Sequence, residues 1–332
     1  MKTRKALLYM SNFYSYKNEI IDELLSQGFE TTFFCDEMTQ NSLQRVVGKI
    51  FRNYSKKKFY KYFCGTLDKV KSESFDIIII IFGGLFFNKA YLKMLKECFR
   101  GTPIVYYAWD SMHNFPNIKE LLCNADYSFS FDKDDCDNTG ATFLPLFYSK
   151  AISNLDERPL CCFDVSLVMS FYIEKNNGLM KLLELLPDGL RSNFYLKIRD
   201  RLYFRKMCIF HGKKINKIKK YFNLEPMQKN DLFCTFLSSK AVIDCPLPNQ
   251  KGLTIRTFEA LSLGTKIITL NKDIKNYDFY TPNNIFVVGV DELENGRIPR
   301  SFFETDFDVK YLPSKDYSIK HFVRTLTGVI ER

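Results

Sequence analysis

Short apolar runs recur along this chain, separated by amphipathic stretches. In the first half they fall at residues 6–10, 30–35 (ETTFFC), 76–82, 103–108 (PIVYYA), 127–131 and 142–146. Each is too short for a buried helix and rich in β-branched or aromatic residues, so each predicts a strand. Between them, residues 19–26, a basic stretch reaching about Lys71, 89–100 and 117–123 carry apolar side chains at helical spacing. Gly28 stands where the first helix should stop. The run at 76–82 is apolar almost throughout and continues past Gly83 and Gly84 to Phe87, as expected of a strand buried on both faces of a parallel sheet.

The second half repeats this pattern. Residues 149–159 are polar and predict a crossing between domains. Strands are expected at 164–170, 192–198, 240–244, 266–270 and 284–288, and helices at 175–186, 213–222, 229–239 and 319–331. Strands regularly separated by helices imply βαβ units and parallel sheets. Two Rossmann-like domains, 1–150 and 151–332, account for the order, with the last helix able to cross back. Polar and glycine residues gather at the strand ends, where a doubly wound sheet opens its crevice.

Composition narrows the function. The chain has 332 residues, enough for two cores. Its ten cysteines form no C-x-x-C, and His113, His211 and His321 are far apart, so no His/Cys metal site is expected. Scattered thiols without a secretory signal suggest a reducing cytoplasm. No apolar run approaches the roughly 20 residues of a membrane-spanning helix. The net charge of +10 is concentrated in FRNYSKKKFYKYF, from Phe51 to Phe63, and in residues 197–220, which include RDRLYFRK and KKINKIKK. Such runs form solvated faces or meet an anionic partner. The rings interleaved from Phe51 to Phe63 suit an anionic membrane interface, and would equally stack on bases.

The segment KGLTIRTFEALSLGTKIIT, 251–269, concentrates the candidate chemistry. Thr254 is placed to cap a helix whose Ile255, Phe258 and Leu261 face a core. Arg256 and Glu259, three apart, share another face, and Gly264 ends the helix. One reading is an exposed ion pair worth about 0.2–0.5 kcal/mol. The other begins from the preceding strand, which ends at Asp244 and is followed by a loop containing Asn249, Gln250 and Gly252. That order sets free N–H groups and a positive helix end beside a crevice, where Arg256 can fork onto phosphate oxygens and Glu259 can accept ribose hydroxyls. Spacing alone leaves both open.

GLTIRTFEALSLGTKIIT, preceded by AVIDCPLPNQ, resembles the C-terminal donor-site segment of GT-B glycosyltransferases, more narrowly those of bacterial lipopolysaccharide and capsular polysaccharide biosynthesis. YYAWDS (106–111), SFSFDKDD (128–135) and FLPLFYS (143–149) resemble the closing half of that family's N-terminal domain. The resemblance implies a GT-B fold, two Rossmann-like domains whose parallel sheets face an interdomain cleft. It implies transfer of a sugar from a nucleotide-sugar to a hydroxyl of a glycan or lipid-linked glycan, without a metal or a cofactor beyond the donor. No nucleic-acid partner is then expected, and the thiols and the basic aromatic stretch together suggest a cytoplasmic protein, peripheral on the inner membrane through Phe51 to Phe63. By this likeness Glu259 binds the ribose, while Arg256 and the backbone around Gln250, Gly252, Leu253 and Thr254 lie near the diphosphate, beyond Asp244. Retaining relatives carry an earlier glutamate in an E-x7-E pattern. Lys251 stands there, a departure from the retaining pattern.

An inverting transfer needs a carboxylate or imidazole to remove the acceptor proton, and Asp110 and His113 at a strand end are the candidates. Each has a plain alternative, Asp110 as a turn cap and His113 as a surface residue. DKDDCD (132–137) offers a rival, since the GT-A fold holds a divalent metal with D-x-D at a strand end. That reading leaves the second α/β half without a purpose. No G-x-G-x-x-G follows any expected strand, so Gly83 and Gly84 point to close backbone approach rather than a nicotinamide site. A non-catalytic nucleic-acid or anionic-surface binding protein is the second reading, resting on the positive clusters.

Overall fold

The computed structural model describes residues 3–12, 15–36, 52–82, 86–149 and 161–330. Phe51, the Gly83–Gly84 pair and most of the expected crossing at 149–159 lie outside them. The chain divides into two compact units, residues 1–145 with 319–332, and 146–318.

The first unit alternates β1 (Arg4–Met10), α1 (Tyr16–Ser26), β2 (Phe29–Cys35), α2 (Arg52–Val70), β3 (Ile77–Ile81), α3 (Lys89–Cys98), β4 (Ile104–Ala108), α4 (Asn117–Leu122), β5 (Tyr127–Ser130), α5 (Lys133–Thr139) and β6 (Thr142–Phe143). The strands pair in parallel in the order β2-β1-β3-β4-β5-β6. The expected strands are all present, shifted by a few residues at their ends. β3 reads IIIII and is wholly buried, as its unbroken apolar run required.

α2 corrects the expectation for the basic aromatic stretch. Its Phe59 and Phe63 do not face outward. They are buried against Tyr91, at ring distances of 5.2 and 4.7 Å, and Phe63 also meets Tyr9 and Phe87. Tyr54, Lys56, Lys57, Lys58, Tyr60 and Lys61 form the exposed face. Helical period explains the split, because positions 59, 63, 67 and 70 share the side toward the sheet. DKDDCD takes the plain role of a helix start. It forms α5, whose N-cap Asp132 accepts a hydrogen bond from the Asp134 amide.

The second unit comprises β7 (Phe163–Ser170), α6 (Asn176–Glu184), β8 (Ser192–Lys197), α7 (Arg201–Ile215), β9 (Phe222–Asn223), α8 (Lys229–Leu237), β10 (Ser239–Asp244), α9 (Ile255–Ser262), β11 (Lys266–Thr269), β12 (Ile285–Val287) and α10 (Ser301–Glu304). Its parallel order is β12-β11-β10-β7-β8-β9. The helix expected at 213–222 instead begins at Arg201, where Asp200 accepts the Tyr203 amide at 2.7 Å, and a short 3-10 turn leads into β9, which was not expected. α11 (Ile319–Thr327) returns to the first unit, where Phe322 packs edge-on against Tyr107 at 4.7 Å.

At the start of β7, Asp164 accepts hydrogen bonds from the Arg191 side chain and amide and pairs with Lys240 at 3.0 Å. It ties the leading edges of β7, β8 and β10. Arg191, with Lys240, holds the Asp164 carboxyl well below the usual carboxylate range. That stabilisation is complete above the ordinary carboxylate pKa and fades as pH falls toward the depressed one. Asp164→Asn is therefore expected to lose about 1 kcal/mol at neutral pH, a figure kept small by solvent around Arg191. The deficit should shrink in acid. Urea unfolding across a pH series measures it, and a deficit unchanged by pH would exclude the carboxylate charge as its source.

Candidate functional site

Two chain directions leave the second sheet at one place. From β7 the chain proceeds outward through β8 and β9, then returns to the other side of β7 for β10, β11 and β12. The loops that follow β7 and β10 therefore diverge, and a doubly wound sheet holds its ligand crevice at such a switch point, beyond the carboxyl ends of the strands. The segment singled out in the sequence begins there.

Asp244 ends β10 and is 3% exposed. Its two carboxylate oxygens accept hydrogen bonds from the Thr254 and Thr257 hydroxyls at 2.8 and 3.2 Å. Thr254 occupies the N-cap position but makes no side-chain cap, because its hydroxyl is committed to Asp244. The expected cap is thus replaced by a clamp from the preceding strand. Burial pushes the Asp244 carboxyl up, opposed by the two threonines and by the charges of Lys175 and Arg256.

Glu259 is 0% exposed, one turn into α9. An exposed Arg–Glu pair is thereby overturned. The helix is short and lies against β10, β11 and α8, so Thr257, Phe258, Glu259, Ala260 and Leu261 are all buried and no face of that turn is left to solvent. Arg256 reaches across the strand ends, its Nε donating to the Val168 carbonyl of β7. The guanidinium stem therefore lies at the switch point itself. Gly264 takes φ +69°, the left-handed turn that ends the helix and that glycine adopts without strain.

The loop between β10 and α9 is held from within. Gln250 Nε2 donates to the Gly252 carbonyl at 2.9 Å, and Asn271 Nδ2, past the end of β11, donates to the Lys251 carbonyl at 2.9 Å. Leu253 is buried, so this expected site residue anchors the loop with its side chain and can offer a ligand only its backbone. Gln250 likewise spends an amide hydrogen on its own loop.

Sequence reasoning passed over KNNG at 175–178, where the chain arriving from β7 enters α6. Asn176 is buried at the first turn of α6, and its Oδ1 meets no donor among the described residues. Lys175 carries its charge near Asp244 and Cys245. At Gly178 a Cβ would stand 2.9 Å from Leu270 Cδ1 and 3.6 Å from Cys245 Sγ, so the helix end sits close on the ends of β10 and β11. A polar run ending in glycine in the first turn of a helix that follows a strand is the signal that would have marked it.

Comparison with solved structures decides the architecture. The lipopolysaccharide outer core galactosyltransferase WaaB, in its apo form, matches with a TM-score of 0.50 at 15% identity, over 98% of this chain and 99% of its own. The catalytic domain of starch synthase IV from Arabidopsis thaliana, bound to ADP and acarbose, matches at 0.59 and 10% identity, over 100% of both chains. The chain has the GT-B fold. A UDP-GlcNAc 2-epimerase from Methanocaldococcus jannaschii, in complex with UDP-GlcNAc and UDP, matches at 0.56 and 11% identity, over 98% of this chain and 99% of its own. No family model and no curated protein matches the sequence.

In the first unit of this GT-B chain, Asp110 and His113 follow β4. Asp110 is half-buried and His113 is exposed. The turn between them is fixed by Asp135 of α5, which accepts hydrogen bonds from the Ser111 hydroxyl at 3.2 Å, the Met112 amide at 3.0 Å and the Ser130 hydroxyl at 3.2 Å. Ser111 Oγ in turn accepts the His113 amide. Burial raises the Asp135 carboxyl, against the pull of those donors. Asp132 and Asp135 of the acidic run thus organise backbone, and no group of three or more His, Cys, Asp or Glu among the described residues is arranged to hold a metal ion. Phe82, just before the glycine pair, takes φ +68°, an uncommon left-handed geometry for a bulky residue, and its carbonyl accepts the Tyr106 hydroxyl at 2.8 Å.

The clamp yields a prediction. Asp244→Ala should cost about 2 kcal/mol by leaving the buried Thr257 hydroxyl and the part-buried Thr254 hydroxyl without their acceptor. Asp244→Asn keeps an acceptor. Because folding favours the acid form of Asp244, wild-type stability falls as pH rises past the ordinary carboxylate value, and the asparagine variant lacks that loss. The variant should gain on wild type as pH rises above about 4, the ordinary carboxylate value, in urea titrations. A gap that widens against asparagine over that range would contradict the assignment.

Proposed function

We propose that this protein is a glycosyltransferase that moves a sugar from a nucleotide-sugar to an acceptor hydroxyl during synthesis of a bacterial surface polysaccharide, lipopolysaccharide or capsule. The observation that carries the reading is the start of α9 at the switch point of a Rossmann-ordered sheet, where Arg256 reaches the end of β7 and the buried Glu259 follows one turn later. A carboxylate accepts hydrogen bonds through both of its oxygens, and a nucleotide ribose presents two hydroxyl donors.

In this reading Glu259 accepts the ribose hydroxyls. Arg256, the α6 and α9 N-termini and the backbone of residues 250–254 offset the charge on the diphosphate as it leaves. Asn176 adds a buried polar group at the same helix end. The acceptor oxygen attacks the anomeric carbon, the bond to the diphosphate breaks with its electron pair, and the acceptor proton passes to a base. Asp110 and His113 are the proposed bases, and half-burial favours Asp110 over the exposed His113. Lys251, in place of the glutamate of retaining relatives, favours inversion. The first unit would hold the glycan or lipid-linked acceptor at the cytoplasmic face of the membrane, with the exposed Lys56, Lys57, Tyr60 and Lys61 of α2 toward anionic lipid. Support for the substrate class comes from neighbours such as WaaB, named for galactosyl transfer to the lipopolysaccharide outer core, and the starch synthase bound to ADP.

A thermal-shift screen tests it, since a ligand of the native state raises the unfolding temperature. At least one uridine, guanosine, cytidine or thymidine diphosphate sugar should stabilise the wild type. Glu259→Gln, which keeps the side-chain volume, should weaken that ligand about tenfold or more. A flat response across all four bases, or full affinity in the glutamine variant, would remove the reading. Epimerisation of the donor sugar without an acceptor would replace it with the chemistry named for the M. jannaschii neighbour.

A further inference from the structure

The second basic cluster has a surface that glycosyl transfer does not use. Helix α7 is anchored by one side only. Met207 and Ile215 are buried in the second unit's core, with Tyr203 and Phe204 packed beside them. Leu202 and Ile209 lie about half a turn away from Met207 on the helix, and are 50% and 76% exposed. Phe210 is 69% exposed. In an amphipathic helix that side should be polar.

Cations surround these three side chains. Arg205 and Lys206 lie three and four residues after Leu202 and so share its surface. The backbone leaves helical geometry at His211 (φ −132°, ψ 15°), just past the exposed pair, and Lys213 and Lys214 follow, both exposed. Residues 201–220 contain no aspartate or glutamate. Arg201, Arg205, Lys206, Lys213, Lys214 and Lys219 form no ion pair among the described residues; Lys217 reaches Glu184 at 3.6 Å.

We infer that this face of α7 docks on an anionic phospholipid bilayer. Leu202, Ile209 and Phe210 would enter the boundary between headgroups and acyl chains. The arginines and lysines would lie with their stems along the apolar patch and their charges at the lipid phosphates. Two of the three apolar side chains are aliphatic, which fits acyl chains and offers no flat surface for stacking on bases. The surface is separate from the exposed α2 face, and the inference does not depend on the enzyme's reaction.

Co-sedimentation of the full chain with vesicles of phosphatidylcholine, alone or mixed with phosphatidylglycerol, tests it. Binding is expected only to the anionic vesicles. Ile209→Ser combined with Phe210→Ser should weaken it about tenfold or more, and Arg205→Gln with Lys206→Gln should weaken it as well. These positions are exposed, so unchanged unfolding temperatures should accompany the losses. Phe210→Trp adds a direct readout, with emission moving to the blue on vesicle addition beyond any change from Trp109 in the wild type. The proposal is overturned if the double-serine variant sediments like wild type, if the Phe210→Trp emission stays put, or if binding is lost only when Tyr54, Lys56 and Lys57 of α2 are replaced. Preferential binding of single-stranded RNA, competing vesicles away, would overturn it in favour of nucleic acid.

Discussion

A carboxylate closed off from water at the end of β10 sets the geometry of everything that follows it. Asp244 can be buried because two threonine hydroxyls of the next helix donate to it and because Lys175 and Arg256 bring positive charge near. Those same bonds decide where α9 starts and how it lies on the sheet. Once α9 is placed, Arg256 must lie across the ends of β10 and β7, and Glu259 must point into protein rather than water. The loop of residues 245–254 has little freedom left, since Asn271 and Gln250 hold its carbonyls. A polar network of this kind is stable only when complete, so the region is rigid where a ligand would need it shaped in advance.

The first unit uses the same device. Asp135 gathers a hydroxyl from β5, a hydroxyl and an amide from the turn after β4, and through them positions the Asp110–His113 turn. In both units a buried aspartate gathers hydroxyl or amide donors from neighbouring segments and so fixes how the chain runs past the strand ends. The excess positive charge is divided differently. On α2 the phenylalanines Phe59 and Phe63 turn inward, and Tyr54 and Tyr60 accompany the exposed lysines. On α7 large apolar side chains stand outside among the cations. Similar composition therefore builds two surfaces of different character.

Strand positions were legible along nearly the whole chain because a buried parallel strand must be continuously apolar, and little else in this sequence is. The α9 helix and its Gly264 stop were legible for a similar local reason. What escaped was set by distant contacts. β9 is two residues long and exists only because β8 offers an edge. The start of α7 was hidden because its outward face is apolar and breaks the period that betrays a surface helix. The role of 175–178 depends on the ends of β10 and β11, more than sixty residues away in the chain.

By itself the sequence determined two α/β halves, the positions of their strands, and the segment where candidate chemistry is concentrated, because periodicity and chain-local spacing carry that information. Tertiary structure alone decided which polar groups are buried. It turned Thr254 from a cap into a donor for Asp244, put Glu259 out of reach of solvent, and sorted Phe59 and Phe63 into the core while leaving Ile209 and Phe210 outside. Burial depends on which elements pack together, and that packing is a property of the assembled sheets rather than of any window of residues.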